Sequence, residues 1–556
     1  MPSLDELYRA AIRAHQQRQA DAAGRLYDEI LAKRPAHAGA LHLKGVLALQ
    51  AGDYPAAARL IERSLEIEPR HALALSNLGV AYRALKRYDA AIEVLRRAVA
   101  LDPRSADAWG NLGQTLARTG QMSEAVTSSK RALAIDPNRL GLQSALLFAE
   151  NYIAGSDPVA MADRARAVGG MIAQKIPARS VHANDPDPAR RLRVGLLSAD
   201  LRAHPVGRFL AGVLPELDGR AVELFAYSNT DEEDAVSDLM RAAVPHWLNV
   251  TGLSDRDLDA RIVADGIDIL IDLSGHTAGN RMMVVARKPT PVIFSWIGYF
   301  ATTGLASVDY VLANKWVIPE AEEAQWSERP WRLPDTYICY AVPRDPLPPT
   351  PLPAAGSGYI TFGCFNNFNK LTDATFAAWS ALLAAVPGSR LLLRSSGYDN
   401  SEILAGLRDG LAGAGIDLER VRIDGRIKDY AAHLASYGEI DIALDPFPYN
   451  GGTTTVEALY MGVPVLVRAG DRYVAHMGES ILHTAGLPEW IAADEADYAV
   501  RGARLAADLE ALAALRAGLR ARVLASPLFD APRFARHLEA AMRGMWVTWC
   551  AAQGRG

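Results

Sequence analysis

The chain has 556 residues, half of them hydrophobic, a mean hydropathy near zero and a net charge of −5. That length exceeds a single core and predicts three to four domains, and the mild acidity gives no basis for general binding to nucleic acid or anionic membrane. Three cysteines, Cys339, Cys364 and Cys550, stand without C-x-x-C spacing, which disfavours zinc sites and disulfide frameworks and favours a reducing compartment. The first ten residues, M-P-S-L-D-E-L-Y-R-A, carry acids early and no apolar signal core. No apolar run approaches membrane-spanning length, so the expected location is cytoplasmic.

Residues 1–137 repeat. Pro35, Pro69, Pro103 and Pro137 are each 34 residues apart, and Gly45, Gly79 and Gly113 keep that interval, as do Ala23, Ala57, Ala91 and Ala125. Several position classes sharing one 34-residue period form the tetratricopeptide pattern, fitted best by Leu75 to Tyr82. Small residues stand where paired helices cross closely, and proline ends the second helix of each pair. Each pair leaves an apolar face that only the next can cover, so about four units stack as a solenoid. Asn77 and Asn111 occupy equivalent places on first helices, where an amide can either hold an extended peptide backbone or simply be tolerated at the surface. The preceding unit has Leu43 there.

Residues 138–190 lose the period and read as a helical connector, with helices expected over Leu140 to Ile153 and Met161 to Ile176. Asp185-Pro186-Asp187-Pro188 reads as a linker rather than a metal-binding Asp-x-Asp, because prolines flank it and no strand precedes it.

From residue 191 short β-branched runs alternate with helices, the pattern of a parallel, doubly wound sheet. Strands are expected at Arg193 to Leu197, Val222 to Tyr227, Ile267 to Leu273, Val292 to Trp296 and Tyr310 to Leu312. A second set follows a proline-rich connector at Pro343 to Pro353: Tyr359 to Cys364, Arg390 to Arg394, Val421 to Ile423, Ile440 to Leu444 and Val463 to Val467. This predicts two Rossmann-like lobes, 191–345 and 346–556, facing a cleft at their carboxyl strand edges. No G-x-G-x-x-G follows a first strand and no G-x-x-x-x-G-K-[ST] occurs, which disfavours dinucleotide oxidoreductases and P-loop NTPases. No H-E-x-x-H or close His/Asp cluster suggests a metal.

The residues able to do chemistry fall on strand-end loops. His204, in S-A-D-L-R-A-H-P-V-G, follows the first strand and can exchange a proton or pin its own loop. His276 follows a later strand and has a positional reading, and the compact loop Gly298 to Gly304, with Thr303, can wall a sugar pocket. In the second lobe C-F-N-N-F-N-K places Asn367 and Lys370 after a strand, where the lysine suits a diphosphate leaving group. His433 lies on the preceding helix, able to present its ring to a flat base. Asn450, Gly451 and Gly452 form a turn able to accept positive φ, and Thr453 and Thr454 open a helix whose free N–H groups suit phosphate. Glu457, one turn in, can accept from ribose hydroxyls.

Together S-A-D-L-R-A-H-P-V-G, C-F-N-N-F-N-K and N-G-G-T-T-T-V-E-A-L-Y-M-G-V-P resemble the O-linked N-acetylglucosamine transferase family, tetratricopeptide repeats joined to a two-lobed α/β transferase of the GT-B type. The chain looks like a bacterial member, lacking the long insertion between lobes of the animal enzymes. The resemblance implies an inverting transfer, without metal or other cofactor, of GlcNAc from UDP-GlcNAc to Ser or Thr hydroxyls of protein acceptors. It implies His204 near the acceptor hydroxyl, and Lys370 at the departing diphosphate with Asn367 beside it. His433 would stack on uracil, Thr453 and Thr454 bind phosphate, and Glu457 hold the ribose. The proton acceptor stays open among His204, a donor phosphate oxygen and a relayed water. Gly452 stands where animal members have a histidine, and His476-Met477-Gly478 where many have an arginine-bearing loop. The threonine segment also resembles the SPINDLY relatives, which use GDP-fucose, so a fucosyl donor and a nucleotide-binding scaffold without turnover are the alternatives.

Overall fold

The computed structural model describes residues 2–343 and 347–554, and the expected lobe boundary at 345 and 346 lies outside them. Two compact units are present, Met1–Ala149 and Glu150–Gly556. In the first, eight helices form four antiparallel pairs from Leu4–Gln16 to Met122–Ile135, and second helices end at Lys33, Ile67, Leu101 and Ile135, each two residues before the repeating proline. The glycine of the repeat is there for space: a Cβ on Gly79 would stand 2.5 Å from Leu95 Cγ on the partner helix. One apolar cluster runs without a break from Ala57 to Ala125, so each pair is covered by its neighbour. The connector helices are Leu140–Glu150 and Pro158–Lys175.

The second unit holds two parallel sheets. The first contains β1 Leu192–Ser198, β2 Val222–Ser228, β3 His246–Asn249, β4 Ile269–Asp272, β5 Val292–Ser295, β6 Tyr310–Ala313 and β7 Arg329–Arg332, in the order β3-β2-β1-β4-β5-β6-β7. The second contains β8 Thr361–Cys364, β9 Arg390–Arg394, β10 Val421–Asp424, β11 Ile442–Leu444, β12 Val465–Arg468 and β13 Ile491–Ala492, in the order β10-β9-β8-β11-β12-β13. All registered pairs are parallel, for example Leu196 with Ile271 and Phe362 with Ile442. The three strands that sequence patterning misses, β3, β7 and β13, are edge strands. An edge strand pairs on one side only, and His-Trp-Leu-Asn and Arg-Pro-Trp-Arg carry no buried residue.

Strand order reverses between β1 and β4 in one sheet and between β8 and β11 in the other. Loops leaving neighbouring strands part at such a point and open a crevice. His204, His276, Lys370 and Asn450 follow these four strands. The lobes meet through Asn314 Nδ2, which donates to Ser480 Oγ at 2.8 Å, and through Trp316 stacked on His483 at 3.6 Å. The last helix, Ala531–Gln553, read with the second lobe from sequence, instead packs on the first sheet. Phe534 stacks on Trp296, and Trp546 Nε1 donates to Asp187 O at 3.0 Å. An amphipathic helix shows which face it buries, not which sheet covers it.

Candidate active site

β11 ends at Leu444, the chain turns through Asp445 to Gly452, and a helix runs over Thr453–Tyr460 until Gly462, at φ +81°, stops it. The N-cap is Gly452, with no side-chain cap, so the first N–H groups of this helix are offered outward. The expected left-handed glycines are absent: Gly451 is not at positive φ and Gly452 has φ −114°. Gly451 is needed for space instead, because a Cβ there would lie 2.3–2.6 Å from Thr455 Oγ1, Asp445 Oδ1 and Thr454 Oγ1.

Three threonine hydroxyls differ in what they hold. Thr455 Oγ1 donates to Asp445 Oδ2 at 2.8 Å and Thr454 Oγ1 to Asn366 Oδ1 at 2.9 Å, whereas buried Thr453 Oγ1 has no partner. Asn450 Nδ2 donates to Pro446 O at 3.0 Å, which fixes the amide and leaves its buried Oδ1 also unpartnered. A buried hydroxyl and a buried amide oxygen without partners at an uncapped helix start are what a polar ligand would complete.

Lys370 stands over this turn. Its ammonium donates to Asn450 O at 2.6 Å and to Asn366 Oδ1 at 3.4 Å, and lies 4.2 Å from the Tyr449 ring centre. Burial pushes the ammonium down to about 8, with the nearby Asp445 opposing the shift. The side chain that meets the Lys370 ammonium is Asn366, while Asn367 meets Lys370 through its backbone, its carbonyl accepting from Lys370 N at 3.0 Å. Asn366 is buried, with its Nδ2 donating to Asp445 Oδ1 at 3.2 Å. Asn367 is exposed and its side chain caps the short turn Phe368–Lys370 by accepting from Asn369 N. The turn reverses the chain one residue earlier than a run of polar letters shows.

Glu457 is buried among hydroxyls. Its Oε1 accepts from Tyr340 at 2.7 Å and Tyr430 at 3.0 Å, and its Oε2 lies 3.3 Å from His433 Nε2. Burial and the Glu457 charge hold both tyrosines well above the usual phenol range. His433 is partly exposed on Tyr430–Ala435, among the rings of Tyr430, Tyr437 and Phe365. Arg208 of the first lobe lies over Tyr430, 3.6 Å from the ring centre.

In the first lobe His204 is the N-cap of Pro205–Val213, its Nδ1 accepting from Val206 N at 3.4 Å and standing 3.7 Å from Asp200 Oδ2. Burial lowers its pKa, against the raising effect of Asp200, which favours the neutral ring, the form that can accept a proton. His276 is buried and pushed down to about 4 by that burial, and its Nε2 donates to Thr303 O at 2.8 Å. Thr303 N and Oγ1 donate to buried Glu328, and a Cβ on Gly298 would stand 1.8 Å from Leu273 O. His276, Gly298 and Thr303 thus brace the loop against β4, with these polar atoms directed at one another.

In the repeat unit, Asn77 Nδ2 lies 2.9 Å from His42 Nε2 and Asn111 Nδ2 donates to Ser76 Oγ at 3.2 Å. Both bonds cross to the preceding repeat. Among the described residues no group of three or more His, Cys, Asp or Glu is placed to hold a metal ion, and no helix is long and apolar enough to cross a membrane.

Tyr340, Tyr430, Asn366, Asp445 and Arg208 escape sequence reasoning. Asp445 had a signal, an acid directly after a buried strand at a switch point. Tyr340 and Arg208 had none, since their partners are remote in sequence.

Comparison with known proteins identifies the family and the fold. The family model for glycosyl transferase family 41 matches residues 171–341 and 353–538, and one for the tetratricopeptide repeat matches 8–67, 42–106 and 77–139. SPINDLY proteins of Petunia hybrida and Arabidopsis thaliana, described as probable UDP-N-acetylglucosamine–peptide N-acetylglucosaminyltransferases, are 35% and 36% identical over 371 residues. Those alignments cover 66% of this chain and 40% and 41% of the relatives, so the chain spans about two fifths of their length. A solved structure of an O-GlcNAc transferase variant from Thermobaculum terrenum is 35% identical with a TM-score of 0.83, covering 93% of this chain and 98% of that one. The chain belongs to glycosyl transferase family 41.

Proposed function

We propose that the protein is a protein O-GlcNAc transferase, moving GlcNAc from UDP-GlcNAc to Ser or Thr hydroxyls with inversion at the anomeric carbon and without a metal ion. The observation that carries this reading is the unpartnered Thr453 hydroxyl at an uncapped helix start, beside the Lys370 ammonium. Together they form a positive, donor-rich cradle for a diphosphate. Glu457 would take ribose hydroxyls and His433 the base. Asn450 Oδ1, an acceptor without a donor, fits a sugar hydroxyl or amide.

In the reaction the acceptor oxygen attacks the anomeric carbon from the side opposite the diphosphate. The bond from that carbon to the phosphate oxygen breaks, and the electron pair leaves with the nucleotide. Lys370 and the helix start meet the growing charge, which is the work a metal ion performs elsewhere. The hydroxyl proton passes to neutral His204 or to a phosphate oxygen. The repeats would present the acceptor protein, with Asn77 and Asn111 meeting its backbone, and three free cysteines suit a reducing cytoplasm.

Calorimetry with UDP, GDP, UDP-GlcNAc and GDP-fucose, followed by mass spectrometry of host proteins incubated with each sugar nucleotide, tests the reading. Binding of UDP and a gain of one N-acetylhexosamine on Ser or Thr is expected. Tight GDP binding without response to UDP replaces the donor by GDP-fucose, and binding without any modified acceptor leaves a nucleotide-binding scaffold.

A further inference from the structure

His204 is the N-cap of Pro205–Val213 and Arg208 lies in the first turn of that helix. The helix meets the second lobe, because Arg208 reaches the ring of Tyr430. Tyr430 hydrogen-bonds Glu457 on the helix that opens at Thr453. Arg208 is thus joined through Tyr430 to the carboxylate assigned to the ribose, from the helix that His204 caps.

Its guanidinium is half-buried and, among the described residues, the ring contact is its one close side-chain partner; no carboxylate lies within ion-pair reach and no oxygen accepts from it. Two other half-buried arginines of this lobe are paired, Arg281 with Asp255 at 2.8 Å and Arg332 with Glu323 at 2.6 Å. A cation over an aromatic face recovers only part of the hydration it gives up, and five N–H donors are left for a ligand. Their fork geometry matches phosphate oxygens better than a single hydroxyl. The groups suited to a diphosphate, Thr453 and the uncapped N–H groups, lie one turn before Glu457 on the same helix.

We propose that Arg208 is a binding residue for the donor's diphosphate, contributed by the first lobe. The phosphates are then gripped from both sides of the cleft, by Lys370 and the helix start on one side and Arg208 on the other. This rests on the donor-site reading above and adds to it a phosphate contact from the lobe that carries His204.

The test is calorimetry and competition on the full chain with UDP, GDP, uridine and guanosine, comparing wild type with Arg208→Ala and Arg208→Lys. Arg208→Ala is expected to weaken the bound nucleoside diphosphate about ten- to hundredfold and to leave the matching nucleoside unchanged, while Arg208→Lys, which keeps the charge, retains part of the affinity. Unchanged unfolding temperatures identify folded variants. Two results overturn the proposal: diphosphate affinity that does not move, or nucleoside affinity that falls in step with it, which would make Arg208 a prop for Tyr430. A wild-type protein that binds neither nucleotide removes the donor-site reading instead.

Discussion

The Lys370 ammonium donates to the backbone carbonyl of Asn450 at 2.6 Å, joining the loop after β8 to the loop after β11. Those strands are hydrogen-bonded neighbours at the reversal of strand order. The bond therefore fixes a cation at the mouth of the helix that begins three residues later.

Under the proposed mechanism, replacing that cation would remove a contact that strengthens as the sugar–phosphate bond breaks. Lys370→Ala is expected to lower kcat on the order of 10²–10³-fold, with a smaller loss in nucleotide affinity. Steady-state kinetics at saturating donor checks this, and an unchanged kcat removes Lys370 from the chemistry.

The same group sets a pH limit. Burial holds the Lys370 ammonium at about 8, so it is charged below that value and neutral above it. Since the charged form is the one that would meet phosphate in the proposed reaction, kcat/KM is expected to fall as pH rises through about 8, the limb reporting the free enzyme. A profile measured from pH 6 to 10 shows it, and Lys370→Ala should lose that limb.

Gly451 and Gly452 are adjacent and unequal. Gly451→Ala places a methyl group against three oxygens held by their own hydrogen bonds, and is expected to cost about 1–3 kcal/mol and to abolish nucleotide binding. Gly452→Ala meets only Met477 Cε, at 2.8 Å, the end of a flexible side chain, and should bind nucleotide nearly as wild type does. Thermal unfolding and calorimetry on both variants decide it; equal losses would show that the turn tolerates neither.

His476 links the lobes. It is buried between Glu322 of the first lobe, 2.9 Å from Nε2, and Glu479, 2.8 Å from Nδ1. Burial alone would lower its pKa, but the two carboxylates outweigh it and push it up to about 9. A raised folded-state pKa stabilises fully below the unfolded value near 6.5 and loses that contribution as pH rises through about 9. His476→Gln is therefore expected to destabilise by about 2–3 kcal/mol at pH 6 and by much less at pH 10. Chemical denaturation at both pH values tests this, and a pH-independent loss would contradict the charged pairing.

Asn77 and Asn111 each turn Nδ2 toward the preceding repeat. That orientation leaves Oδ1 to accept from a passing peptide N–H. Asn77→Ala with Asn111→Ala is expected to raise KM for protein acceptors about tenfold without changing nucleotide affinity. Kinetics on an intact acceptor with matched calorimetry checks it, and an unchanged KM would move acceptor docking off this face.

The order of the chain is legible where local rules decide. The 34-residue period specifies stacked helix pairs because each pair must bury its face on the next. Buried strands followed by polar loops place His204, Lys370 and Asn450 at carboxyl edges, because parallel strands joined by crossovers put those loops on one side. Where the loops converge follows from strand order, which is set by long-range pairing. The register of Asn366 over Asn367 depends on one short turn. The hydroxyl of Tyr340 reaches Glu457 from 117 residues away, and Arg208 meets Tyr430 across the cleft. Composition and periodicity determine which faces are buried and which loops are polar. Which polar atoms then satisfy one another, and which remain open to a ligand, is decided only when two sheets close on each other, because hydrogen bonds of a few ångströms depend on the final packing.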